Sequence, residues 1–296
     1  MKIGFVGLGR MGMALVQNLI DQGHEVVAYN RSQDKVKEAE AHGATGVASL
    51  SEMLDELEGK RVVWLMITAS AVDGILDELE PLLRKGDIII EGGNSYFEHS
   101  QARAKRFEHK GITFLDCGTS GGVEGARHGA CMMIGGSREG FSFVETLFRD
   151  TCVDQGYAHV GQSGAGHFVK MVHNGIEYGM MGALGEGMQA LHEQEKKLGI
   201  DLKNVSKVYA HGSIVEGKLS SLLERGLKRD DFEQIVGVVP KGETEEEMEK
   251  LEKLAEMSIL KESRLMRVRS RAKPSFAAKI IATLRNEFGG HKVEKK

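Results

Sequence analysis

The sequence predicts an α/β fold: an N-terminal Rossmann-type doubly wound sheet followed by an all-α C-terminal domain. Three observations predict it. A glycine-rich turn, Gly7-Leu8-Gly9-Arg10-Met11-Gly12, follows the first β-run. Short β-runs and amphipathic helical runs then alternate as far as about Val160, and beyond Gly164 the pattern is purely helical. Strands alternating with helices imply a mostly parallel sheet covered on both faces. A length of 296 residues accommodates two domains. The expected boundaries are 1–162 for a dinucleotide-binding domain, 163–275 for a helical substrate and dimerisation domain, and 276–296 for a C-terminal tail.

The elements follow in order. Lys2–Val6 is a strand, Met13, Val16, Leu19 and Ile20 mark a helix, and Glu25–Tyr29 completes a βαβ unit of about 30 residues, as the dinucleotide fingerprint requires. Gly7 permits the tight turn, Gly9 lets bare backbone approach a pyrophosphate, and Gly12 permits close helix–strand packing. The helix start offers free N–H groups and positive partial charge to phosphates, which places Gly7, Gly9, Arg10, Met11 and Gly12 on a dinucleotide. The second strand ends in Asn30-Arg31-Ser32, without the carboxylate that binds the ribose 2′-hydroxyl in NAD sites. A guanidinium and a hydroxyl there favour the 2′-phosphate of NADP. NAD is the alternative, with Arg31 simply facing solvent.

The alternation continues with strand Arg61–Ile67, helix Ala71–Leu83, strand Asp87–Glu91, helix Tyr96–His109 and strand Thr113–Cys117. Cys131–Ile134 and Ala158–Val160 are two further strand candidates. Ligands bind at the carboxyl ends of such strands. That rule singles out Ile67-Thr68-Ala69, Gly92-Gly93-Asn94-Ser95 and Thr119-Ser120-Gly121-Gly122. The last reads equally as a cradle of N–H groups for a carboxylate or as a plain turn.

In the helical half, a run from His167 extends to about Leu198. Lys170, His173, Asn174, Glu177, Tyr178 and Met181 fall at i, i+3, i+4, i+7, i+8 and i+11, hence on one face. The flanking positions Phe168, Val169, Met171, Val172 and Ile176 are apolar, so the polar stripe reads as a site lining instead of a solvated face. A buried lysine shifts toward neutrality and serves as a base, and a nearby carboxylic acid serves as a proton donor.

Composition excludes other classes. Hydrophobic residues are 41%, charged residues 28% and the net charge is -4, which is ordinary globular composition without a nucleic-acid-binding field. Glycine is abundant (38) and proline scarce (3), a mix that suits long helices and close backbone approaches. Cys117, Cys131 and Cys152 lack metal-ligand or disulfide-framework spacing, so no metal is expected and a reducing, cytoplasmic compartment is. Cys117 reads as core. No apolar run approaches a membrane span. The last 36 residues carry eleven Lys/Arg against three Glu, a basic end that reads as a nucleic-acid arm, a solvated tail or a phosphate grip.

Four stretches together resemble the decarboxylating 6-phosphogluconate dehydrogenases, in their shorter bacterial form within the β-hydroxyacid dehydrogenase superfamily. They are Gly7–Gly12, Gly92-Gly93-Asn94-Ser95, Ser120-Gly121-Gly122-Val123 and Gly164–Tyr178. The resemblance runs over about residues 1–230 and returns at the C-terminus. It implies that Lys170 takes the proton of the C3 hydroxyl, that Glu177 protonates the enediol, and that Asn174, His173 and Tyr178 contact the substrate. It further implies that Ser120, Gly121 and Gly122 hold the C1 carboxylate and that Asn94 lies between nicotinamide and substrate. Arg285 and His291, with Arg267 nearby, would bind the 6-phosphate from a tail reaching a neighbouring subunit, making the protein a homodimer or homotetramer. The substrate is then a small phosphorylated sugar acid, with neither nucleic acid nor membrane as a partner.

One segment departs from the family. Pro240-Lys241-Gly242-Glu243-Thr244 and a charged helix through about Met257 stand where the family has a glycine-rich stretch with a Trp-Thr pair. Glu246/Lys250 and Glu249/Lys253 are favourable i,i+4 pairs, so that helix reads as solvent-facing. Two alternatives remain open: a related dehydrogenase acting without decarboxylation on another hydroxy acid, with NAD as its possible cofactor, and a non-catalytic NADP-sensing protein.

Overall fold

The β-runs of the first half are apolar at consecutive positions, and strands of that kind need cover on both faces. A computed structural model, which describes residues 1–242 and 244–295, supplies that cover. The chain forms two compact units, Met1–Lys170 and Met171–Lys296.

In the first unit the order is β1 (Lys2–Val6), α1 (Arg10–Asp21), β2 (Glu25–Tyr29), α2 (Gln33–Glu40), β3 (Thr45–Gly46) and α3 (Leu50–Asp55). Then come β4 (Val62–Leu65), α4 (Ala69–Leu79), β5 (Ile88–Glu91), α5 (Phe97–Glu108) and β6 (Thr113–Ser120). The unit closes with α6 (Gly122–His128), β7 (Ala130–Gly135), α7 (Arg138–Thr151), β8 (Cys152–Gly161) and the first residues of α8 (Ala165–Leu198).

The strands form one eight-stranded sheet in the order β3-β2-β1-β4-β5-β6-β7-β8. All neighbours run parallel except β6 and β7. Alternate side chains of each strand enter opposite cores. Trp64, Ile88 and Ile90 pack with Leu15 and Leu19 of α1 and Leu147 and Phe148 of α7. Val63, Leu65 and Ile89 pack with Met53 of α3, Leu76 of α4 and Phe107 of α5. The strand order reverses between β1 and β4, which opens the ligand crevice at their carboxyl ends.

The sheet corrects several expectations. Thr119 and Ser120 belong to β6 and not to a loop, because they pair with Met132 and Cys131 of the antiparallel β7. β8 is ten residues long, well beyond Ala158–Val160. The helix after β4 begins at Ala69 and ends at Leu79, whereas Ala71–Leu83 was expected. The first unit ends eight residues past the expected boundary at 162, inside α8.

The second unit contains the rest of α8, then α9 (Leu202–Tyr209), α10 (Lys218–Leu227), α11 (Thr244–Leu254), α12 (Ser258–Ser270) and α13 (Phe276–Gly289). Its core joins Met181 and Met188 of α8 to Leu222, Leu223 and Leu227 of α10 and Ile280, Ile281 and Leu284 of α13. Within the segment expected as a tail, α13 packs on this core. Beyond it, Val293 packs on the same core and the Val236 N–H donates to the Glu294 carbonyl at 2.8 Å. The charged helix α11 is not wholly solvent-facing, since Met248 and Leu251 are buried. Glu246 pairs with Lys241 and Glu249 with Arg264. No described helix is long and apolar enough to cross a membrane.

A buried ion pair fastens the edge of β4: Arg61 Nε donates to Asp87 Oδ2 at 3.1 Å, and the Asp87 carboxylate also accepts the Arg84 N–H at 2.9 Å. Removing one member of such a pair strands a desolvated charge. Asp87→Ala is expected to lose about 3–5 kcal/mol of unfolding free energy in urea titration; a loss below about 1 kcal/mol would show the pair to be dispensable.

Candidate active site

The glycine turn is built as the sequence demands. Gly7 has φ +103°, and a Cβ there would lie 2.4 Å from the Met66 carbonyl oxygen. A Cβ on Gly12 would lie 2.0 Å from the Gly7 oxygen, so any side chain would part helix from strand. Around Gly9 there is open space, and α1 starts there with neither a side-chain cap nor an acid in its first turn. The positive end of such a helix suits an anion such as a pyrophosphate.

The neighbouring loops converge on this turn. The Met66 N–H donates to the Val6 carbonyl, the Gly92 N–H donates to the Leu65 carbonyl, and a Cβ on Gly93 would lie 2.5 Å from the Ile67 oxygen. Three of the expected ligand loops are thus contiguous. Asn30 does more than end β2: its Oδ1 accepts the Leu8 N–H at 3.1 Å and so fixes the glycine turn. Arg10, Arg31, Ser32 and Thr68 are exposed, while Met11, Ile67, Ala69 and Asn94 are half-buried.

Behind the Asn94 loop lies a network that the sequence analysis missed. Arg103 of α5 is buried, and its Nη1 donates to Glu91 at 3.0 Å and to Ser95 Oγ at 3.0 Å, while its Nε donates to Asp73 at 2.7 Å. Both ends of the Glu91–Ser95 loop are therefore tied to one guanidinium. A charged residue inside an amphipathic helix gives little signal of such a role. Asp73 hydrogen-bonded to Arg103 has its carboxyl held below the ordinary aspartate range.

A second missed residue sets the start of α8. Asp116 in β6 is fully buried, and its carboxylate accepts the Gly164 N–H at 2.6 Å and the His167 N–H at 2.9 Å. A strand residue thus satisfies the orphan donors of the helix N-terminus. Ser100 Oγ and His167 Nδ1 lie 2.7 Å apart and brace the same turn. Three glycines make the approach possible. A Cβ on Gly118 would lie 2.4 Å from Lys170 Cβ, one on Gly135 would lie 2.6 Å from the Gly166 nitrogen, and one on Gly166 would lie 2.4 Å from the Asp116 carbonyl. Lys170 consequently rests directly over β6. Just past that strand, Gly121 and Gly122 have φ +108° and +64°, with Ser120 half-buried at the strand end. Cys117 is core as expected, and burial pushes its thiol up.

Along α8 the predicted face is the covered one. Asn174, Tyr178 and Met181 are buried, and Lys170, His173 and Glu177 are half-buried. His173 Nδ1 lies 3.2 Å from Asn174 Oδ1. The expectation that the flanks are buried holds only in part, since Phe168, Ile176 and Met180 are exposed.

In the second unit Tyr178 gathers the cationic residues. The Arg267 guanidinium lies 3.2 Å from the Tyr178 ring centroid. Arg267 is 2% exposed and its Nε has no hydrogen-bond partner; Arg285 is 7% exposed and donates from Nη1 to the Pro240 carbonyl at 3.1 Å. Among the described residues neither forms an ion pair, whereas the adjacent Arg271 is bound to Glu245. Burial lowers the pKa of both arginines, and the nearby Arg285 charge helps bring Arg267 down to about 10. Arg267 remains a cation at neutral pH. The atypical segment arrives at the same place: Tyr178 Oη and Thr244 Oγ1 lie 3.0 Å apart, and Gly242 leaves room for Arg285 Nη2. Lys241 points elsewhere, to Glu246. His291 is exposed beside the Phe288 ring.

Comparison with known proteins bears on both units. A family model described as the NAD binding domain of 6-phosphogluconate dehydrogenase matches residues 2–160, and one described as the 6-phosphogluconate dehydrogenase C-terminal domain matches residues 166–223. The Bacillus subtilis protein YqeC is 45% identical over 299 residues, covering 100% of each chain. The NAD(+)-dependent, decarboxylating 6-phosphogluconate dehydrogenase of Haloferax volcanii is 37% identical over 302 residues, covering 100% of this chain and 99% of that one. Among solved structures, Plasmodium falciparum 6-phosphogluconate dehydrogenase superposes with a TM-score of 0.81 and 27% identity over 92% of this chain, which spans 64% of that protein's length.

The fit between β6 and α8 generates a prediction. Gly118→Ala sets a methyl group against Lys170 Cβ and must displace that side chain. Displacements near 1 Å cost on the order of 10²-fold in turnover. The variant is expected to lose that much kcat while its dinucleotide affinity, measured by fluorescence titration, stays within about twofold; an unchanged kcat would show that Lys170 tolerates the shift.

Proposed function

The chain belongs to the 6-phosphogluconate dehydrogenase family, and we propose that it catalyses the oxidative decarboxylation of 6-phosphogluconate to ribulose 5-phosphate and carbon dioxide with NADP as oxidant. The observation that carries this reading is the α8 face, which holds an amine, an imidazole, an amide and a carboxyl within three helical turns, each at least half-buried.

Gly7, Gly9 and Gly12 with the start of α1 would hold the dinucleotide, and Ile67, Thr68, Ala69 and Asn94 would line its course. Bound there, the nicotinamide supplies the acceptor for the hydride on C3 of the substrate. Lys170, as the neutral amine, removes the proton of the C3 hydroxyl. The resulting ammonium then hydrogen-bonds the new C3 carbonyl and draws electron density toward it, which is what a β-keto acid requires to lose carbon dioxide. When the C1–C2 bond breaks, its electron pair remains on C2 and the Lys170 proton passes to the C3 oxygen, leaving an enediol. Glu177 protonates the former C2, now C1 of the product. Asn174, His173 and Tyr178 orient the hydroxyls, and the Ser120-Gly121-Gly122 backbone holds the carboxylate until it departs. Arg267 and Arg285 supply the positive charge for the 6-phosphate.

NADP is favoured by Arg31, exposed at the end of β2 with no acid in the adjoining Asn30 and Ser32. The NAD(+)-dependent relative from Haloferax volcanii makes the other cofactor a real competitor. Arg31→Asp removes a charge-assisted hydrogen bond of about 1.5–3 kcal/mol, so the NADP-to-NAD ratio of kcat/KM is expected to fall by at least about tenfold. An unchanged ratio would show that Arg31 does not read the 2′-phosphate.

Initial rates with 6-phosphogluconate and with gluconate test the substrate assignment. The phosphorylated acid is expected to be preferred by at least about 10³-fold, because gluconate leaves two buried guanidinium groups without their anion; equal rates would exclude the reading. Lys170→Ala is expected to cut kcat by about 10²–10⁴-fold without weakening NADP binding, and retained turnover would refute its role as base.

A further inference from the structure

On the proposed reading Asn94 lies along the nicotinamide and Lys170 is the base at the C3 hydroxyl, and both belong to the first unit. A chain of buried contacts through α5 joins them. Ser95, next to Asn94, accepts from Arg103 Nη1 at 3.0 Å, and the same nitrogen donates to Glu91 at 3.0 Å. One turn earlier on α5, Ser100 Oγ lies 2.7 Å from His167 Nδ1. His167 stands three residues before Lys170, so the two are neighbours on the surface of α8. Ser95, Ser100, Arg103 and His167 are all buried.

The chain is stiff at each link. Ser100 and Arg103 are one helical turn apart, ~4.5 Å along the axis of α5. Asp73 holds the other side of the guanidinium, accepting from Nε at 2.7 Å and Nη2 at 2.9 Å, so the fork cannot rotate away from the Asn94 loop. At the α8 end the His167 N–H donates to Asp116 at 2.9 Å. A Cβ on Gly164 would lie 2.7 Å from Gln101 Cγ, and the Phe97 and Phe168 rings meet edge to face at 5.1 Å, so α5 is seated closely on the start of α8. The imidazole of His167 is held from one side, since Nδ1 has Ser100 and Nε2 has no hydrogen-bond partner among the described residues.

We propose that α5 sets the distance between the Asn94 loop and Lys170, and that Ser100, Arg103 and His167 are positioning residues for hydride transfer. This rests on the reading of Lys170 as the base and of Asn94 as a neighbour of the nicotinamide. Reaction requires the reacting atoms to be held about 3–3.5 Å apart. A fraction of an ångström lost along this chain therefore slows the chemical step while leaving the hold on each ligand intact.

Ser100→Ala removes one oxygen and adds no bulk. With 6-phosphogluconate its kcat is expected to fall at least about tenfold, while NADP affinity and the KM of the sugar acid stay within about threefold. Deuterium at C3 of the substrate identifies the slowed step. Its effect on kcat is expected to be at least as large as in wild type, because hydride transfer has become slower relative to product release. An unchanged kcat, or a slower turnover with a smaller deuterium effect, overturns the proposal.

Replacements at position 167 supply a rescue that a role in folding alone does not predict. His167→Asn carries an amide to the place of Nδ1, and His167→Gln carries one to the place of Nε2. Because only Nδ1 is engaged, turnover per folded molecule is expected to stay within about threefold of wild type in the first and to fall at least about tenfold in the second. Equal loss in both, or loss in neither, overturns the proposal, and Ser100→Ala decides alone should either fail to fold. A wild type that does not turn over 6-phosphogluconate is the failure of the functional reading, and the proposal falls with it. A wild type that does, with Ser100→Ala equally fast, is the failure of the proposal alone.

Discussion

The structure turns on one carboxylate. Asp116 sits in the middle of a sheet strand, fully buried, and spends both oxygens on the first N–H groups of α8. A buried carboxylate with no such donors would be strongly disfavoured, and a helix start with no acceptor equally so. Each cancels the other's penalty. The contact is possible only because Gly118, Gly135 and Gly166 remove the side chains that would keep the helix off the sheet. Once the helix start is fixed, the helical repeat dictates where Lys170, Asn174, Glu177 and Tyr178 fall. Position along a strand thus determines where Lys170 falls within the first unit.

Charge is handled differently in the two halves. In the first unit, buried cations are matched: Arg61 by Asp87, and Arg103 by Glu91 and Asp73. Those pairs hold loops and edges, and nothing is left over for a ligand. In the second unit Arg271 is matched by Glu245, while Arg267 and Arg285 are left to the Tyr178 ring and a carbonyl.

Much of this was legible in the sequence. The glycine turn, the order of β1, β2, β4 and β5, and the shared face of α8 follow from local spacing, which the chain carries within one element. What was missed is non-local. Asp116 looks like an ordinary strand polar residue until its partners 48 and 51 positions away are known. Arg103 looks like a solvated helix residue, and the helix-like acids of α11 hide Met248 and Leu251 in a core. The apolar positions Ile280, Ile281 and Leu284 were the available signal that α13 packs on the core of the second unit. β7 was expected as a strand, but its antiparallel direction was not, because strand direction leaves no mark on composition.

The central claim is that one helix face both accepts the hydroxyl proton and returns a proton to carbon, so that oxidation and decarboxylation are a single sequence. Carbon-13 at C1 of 6-phosphogluconate, followed by nuclear magnetic resonance while reduced nicotinamide is measured optically, tests it most directly. The account predicts one labelled carbon dioxide for each reduced nicotinamide, with unlabelled ribulose 5-phosphate as the other product. Reduced nicotinamide accumulating while the label stays in a keto acid, or in unreacted substrate, would contradict it.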